Sequence, residues 1–124
     1  MTTDTLVTLH DVPVLRCAPD GPALDGEQRA LDVIGDAMGQ GAGTAVVPAA
    51  RLPDAFFRLA SGVAGAVVQK FVTYQVRLVV LGDLSRHLAG SSALRDFVHE
   101  SDQGDHVWFL PDEAALTARL AERR

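Results

Sequence analysis

Two short runs of mostly apolar, β-favouring residues stand at the start of the chain, Thr5–Leu9 and residues 12–17, with His10-Asp11 between them as a hairpin turn. Pro13, near the start of the second run, marks that run as an edge strand. A loop at 18–22 gives way to a helix: Asp25 with Gln28 three residues on forms a capping box. Ala30, Leu31, Ile34, Ala37 and Met38 then recur at helical spacing, and Gly39, Gly41 and Gly43 stop the helix. Residues 44–47 make a short buried strand ended by Pro48, and Pro53 suits the first turn of a short helix. From about Gly62 to Thr73 the rows Val63/Val67/Phe71 and Ala64/Val68/Val72 give a wide apolar face, read as a second helical piece or as one kinked helix.

The run at 76–81 is unbroken and aliphatic, as in a parallel strand buried on both faces, and it closes at Gly82-Asp83. After a polar loop, Ser91 or Ser92 caps a helix carrying Leu94, Phe97 and Val98. Residues 101–105 turn the chain into a strand at 106–110. Pro111 then opens a last helix, with Asp112 and Glu113 at its positive end and Arg119, Arg123 and Arg124 at its negative end. The order ββαβαβαβα makes residues 1–124 a single α/β domain: a mixed sheet of about five strands with packed helices.

Composition narrows the function classes. The 124 residues are 48% hydrophobic, enough for a core without disulfide or metal staples. Sixteen acids against 11 bases give a net charge of −5, so the basic footprint of a nucleic-acid binder is missing. No apolar run reaches the length of a membrane span, and "MTTDTLVTLH" lacks the basic start of a secretory signal. Cys17 is the one cysteine, which rules out an internal disulfide and fits a cytoplasmic setting.

Four places carry candidate chemistry. Ser61, Gly62 and Gly65 open a helix, where a serine oxygen accepts an orphan amide and glycines allow close packing on the sheet. The same open amides also tolerate a phosphate. Asp83 lies past the carboxyl end of the central strand, where open α/β sheets bind ligands. With Ser85, Arg86 and His87 beside it and Arg95, Asp96, His99 and Glu100 on the next helix, it could form an anion site or an acid/base pair, although a turn-capping Asp is the plainer reading. His10, His87, His99 and His106 have no metal-ligand spacing, so no metal and no cofactor is expected. The adjacent aromatics Phe56-Phe57 and Phe109 with Trp108 cannot all face inward equally, and an exposed one among Phe56, Phe57 and Trp108 would make an interface, with a second copy or another protein.

"FFRLASGVAGAVVQKFVTYQVRLVVLGD", "LRDFVHES" and "VWFLPDEAAL" resemble an uncharacterised bacterial family, domain of unknown function 4180, over roughly residues 53–120. Ala66 stands where that family usually has glutamate. More distantly, the element order, the Ser-Gly helix start and the closing "PDEAAL" look like STAS domains, the sulfate-transporter and anti-sigma-factor-antagonist modules. That likeness implies a STAS-like, non-enzymatic domain that binds a protein partner near the helix start; the expectation of a homodimer rests on the aromatic pairs instead. The likeness also implies modulation by phosphorylation at Ser61, although Ala60 replaces the acid that usually precedes that serine. The alternative is a small-molecule or anion binder, or a minor enzyme, at Asp83, Ser85, Arg95 and Glu100.

Overall fold

In the computed structural model, which describes residues 4–122, five strands lie in sequence order in one sheet. They are β1 (Thr5–Leu9), β2 (Val12–Arg16), β3 (Thr44–Pro48), β4 (Arg77–Leu81) and β5 (Val107–Leu110). β1 runs antiparallel to β2, and the remaining pairs are parallel. His10 and Asp11 both adopt positive φ (51° and 67°), the backbone a two-residue hairpin turn of matching twist requires.

Helix α1 (Glu27–Gly39) links β2 to β3. The β3–β4 connection holds a 3-10 turn (Ala49–Arg51), α2 (Asp54–Phe57), a second 3-10 turn (Leu59–Ser61) and α3 (Val63–Thr73). Between β4 and β5 lie α4 (Ser85–Ala89) and α5 (Ser92–Asp102), and α6 (Glu113–Glu122) follows β5. The parallel strands are added side by side in one direction. Right-handed crossovers therefore place their helices on one face.

Side-chain alternation divides the core accordingly. Leu15, Ala45, Val47, Leu78, Val80 and Phe109 face α1, α2, α3 and α5 and form one cluster with Ile34, Phe56, Val67, Phe71 and Leu94. Val14, Val46, Val79 and Trp108 point the other way and are covered by Leu116 and Leu120 of α6.

Several local expectations are corrected. β2 is an interior strand and β1 the edge; Pro13 is tolerated because the ladder to β3 begins only at Val14. The capping box at Asp25 does not form. Gly26 occupies the N-cap, so Gln28 sits one residue too early and its amide donates instead to Asp32 at 3.0 Å. On α1, Val33 is buried in the place expected of Met38, which is 56% exposed. The loop after β4 contains the additional helix α4, and Ser91 rather than Ser92 caps α5, accepting from the Leu94 amide at 3.1 Å. Arg123 and Arg124 lie outside the described residues.

The aromatic pairs are all internal. Phe56 and Phe57 are buried together with their rings edge to face. Phe109 joins the helix-rich side and Trp108 the α6 side. The Trp108 indole donates to the Gly104 carbonyl at 2.8 Å, with the Arg77 and Arg119 guanidiniums 4.3 and 4.4 Å from the ring centre. The exposure that an interface at Phe56, Phe57 or Trp108 requires is therefore absent in this monomer.

Candidate functional site

Ser61 lies in the connection that follows β3, and Asp83 and Ser85 in the one that follows β4. The chain enters α3 through the 3-10 turn at Leu59–Ser61 and Gly62. Gly62 adopts φ +83°, a left-handed conformation that a side chain disfavours, and it is the residue that redirects the backbone into the helix. Ser61 is consequently one residue outside the N-cap. Its hydroxyl donates to the Ala55 carbonyl in α2 and accepts from the Val63 amide at 3.2 Å, joining the end of α2 to the start of α3. Ser61, Gly62 and Gly65 are all exposed. No atom lies within 4 Å of a Cβ built at Gly62 or Gly65, so neither glycine serves a close approach to the sheet. Helix geometry leaves the Ala64 and Gly65 amides without intrahelical acceptors at this open end.

Close approach does occur at Gly82. Its φ is +147°, and a Cβ there would meet the Ala49 Cβ at 2.8 Å, where the ends of β3 and β4 abut. Asp83 follows, exposed, and accepts from the Ser85 amide at 2.9 Å. Hydrogen bonds from the Ser85 hydroxyl and then its amide hold the Asp83 carboxyl below the ordinary carboxylate range. The adjoining hollow, about 280 Å³, is mostly apolar, with Leu84, Leu88, Val98 and Phe109 in its wall. Arg95 donates to the Leu88 carbonyl at 2.6 Å and so ties α5 to α4. Glu100 lines a different hollow beside Val72 and His106. Asp83 and Ser85 come together; Arg95 and Glu100 do not join them.

Across from α2, α4 brings Arg86 and His87 to a hollow of about 510 Å³ shared with Asp54, Phe57, Arg58 and Ser91. The His87 imidazole stacks on the Phe57 ring, centres 4.0 Å apart and planes 14° off parallel. The sequence places Arg86 and His87 beside Asp83; their grouping with Asp54, Phe57 and Arg58 was missed because it depends on α4, whose first residues read as polar loop.

A second missed group surrounds Arg51, 4% exposed. Its guanidinium donates to the Pro22 carbonyl at 2.7 Å and the Ala18 carbonyl at 2.9 Å, and lies 3.7 Å from Asp4. Asp4 in turn accepts from the Ala18 amide at 2.9 Å. Cys17, buried beside them, has its thiol pushed up to about 12, first by burial and then by the Asp4 charge, so it remains a neutral thiol. These bonds fasten the 17–24 loop to the β3 end, and an isolated arginine in "AARLPD" gave no sign of it in the sequence. Among the described residues, no three His, Cys, Asp or Glu side chains are grouped to hold a metal ion, and no helix is long and apolar enough to cross a membrane.

A family model described as "Domain of unknown function (DUF4180)" matches residues 9–120, extending the likeness to β2, α1 and β3 as well. Neither the curated proteins nor the solved structures yielded a match.

Proposed function

We propose a role for this chain from the premise that it belongs to the DUF4180 family: it is a non-enzymatic, STAS-like interaction module that docks a protein partner at the entry to α3. One observation carries the reading. Ser61, Gly62 and Gly65 form an open helix start on the surface rather than one sealed beneath other parts of the chain. The candidate polar residues of the alternative, a small-molecule binder or enzyme at Asp83, do not converge, which weighs against it.

The hydroxyl of Ser61 is the natural control point. Phosphorylation would remove the proton it donates to Ala55 and set a dianion three residues from Arg58, altering how α2 meets α3. A photo-crosslinking residue at Gly65, with Ala114 on exposed α6 as the control position, tests docking in native lysate. A discrete adduct from position 65 alone, lost in Ser61→Asp, is the expected result, and a partner that is a second copy of the chain would appear as a doubled mass. Identical adducts from both positions, or none from 65, would reject the module.

A further inference from the structure

Six of the eight arginines among the described residues are occupied. Arg16 pairs with Glu113, Arg29 with Asp32, and Arg51 with Asp4 and two carbonyls. Arg77 and Arg119 bond backbone carbonyls beside Trp108, and Arg95 holds the Leu88 carbonyl. Among the described residues, the guanidiniums of Arg58 and Arg86 have no ion-pair or hydrogen-bond partner, and both residues line the hollow between α2 and α4. Their coincidence is notable because paired surface charges gain little and are readily forgone, whereas two like charges held at one hollow repel until an anion is bound.

We propose that this hollow is a phosphoryl-binding site, taking a phosphate or phosphomonoester dianion between Arg58 and Arg86. The two guanidiniums offer planar pairs of donors matched to phosphoryl oxygens. His87 is held face to face against Phe57, so its ring is presented to the hollow in a fixed orientation. The Ser91 oxygen already accepts from Leu94, which leaves its hydroxyl proton to donate to an anion. Asp54 is the opposing charge on the rim; it sets a preference for a dianion strong enough to outweigh it over a carboxylate monoanion. The site stands independently of docking at α3, since it needs no protein partner.

Titration of the labelled protein with inorganic phosphate and with O-phosphoserine, followed through the amide resonances of His87, Gly90 and Ser91, tests it, with acetate as the monoanion control. Saturable shifts are expected by about 10 mM, weakening at least about tenfold in the Arg58→Gln, Arg86→Gln double variant and unchanged in Lys70→Gln, a cation elsewhere on α3. Tighter binding of O-phosphoserine identifies an esterified ligand, and tighter binding of inorganic phosphate a free one. Shifts that fail to saturate, survive the double variant, or appear equally with acetate overturn the site. Both substitutions lie on exposed side chains, and an unchanged melting temperature separates loss of binding from loss of fold.

Discussion

Gly62 and Gly65, three residues apart at the start of one helix, are under opposite demands. Gly62 holds positive φ, so Gly62→Ala is expected to cost about 1 kcal/mol. Gly65 is exposed, helical and free of neighbours, and Gly65→Ala should stabilise by about 0.5 kcal/mol. Thermal melting of the two variants should move in opposite directions; equal losses would mean that position 65 is constrained by something outside the monomer. Asp102 offers a pH test. Burial raises its carboxyl above the ordinary value despite the hydrogen bond it accepts from Phe109 at 2.7 Å. A raised folded value means that its contribution is present at low pH and lost as pH rises through that value. Asp102→Asn keeps an oxygen for Phe109, so the fall in melting temperature as pH rises above the ordinary carboxyl value should flatten in thermal melts across that range. Neither glycine's role could be read from "SGVAG", because residue type reports permissiveness and not which φ the fold imposes.

Regular elements were legible where periodicity is long and uninterrupted. The aliphatic run of β4 and the rows on α3 are placed as the pattern demanded, since a strand flanked on both sides and a helix facing a core each have one way to bury those side chains. Short elements were not. α4 spans five residues, too few for an apolar repeat, and the Phe57–His87 stack it creates depends on a tertiary contact between residues thirty positions apart. Arg51 illustrates the same limit, since its partners at Ala18, Pro22 and Asp4 come from distant segments. Arg51→Met should cost roughly 3 kcal/mol, because the Asp4 carboxylate and two carbonyls lose their donor, as measured by urea denaturation. A loss within experimental error would show those groups to be satisfied by water.

At the scale of the molecule the two faces of the sheet are covered very unequally. Five helices, α1 to α5, crowd one side, while α6 shields the other with Leu116 and Leu120. Overall class and element order followed from the succession of patterns, but the order of strands in the sheet and this asymmetry required the pairing and its register, which fixes the side to which Val14, Val46, Val79 and Trp108 point. Leu116→Ala is expected to cost about 3 kcal/mol and to shift Trp108 fluorescence to the red as water reaches the indole. An unshifted spectrum would mean that the ring is shielded by its arginines alone.

The sequential order of the strands bears on how the chain is made. As it leaves the ribosome, each new strand can join the margin of what has already formed, with no earlier strand having to wait for a later one to be inserted beside it. The exception is the apolar surface awaiting α6, which stays wet until translation has passed residue 122. Nascent chains halted at Pro111 should therefore be the species that chaperones retain.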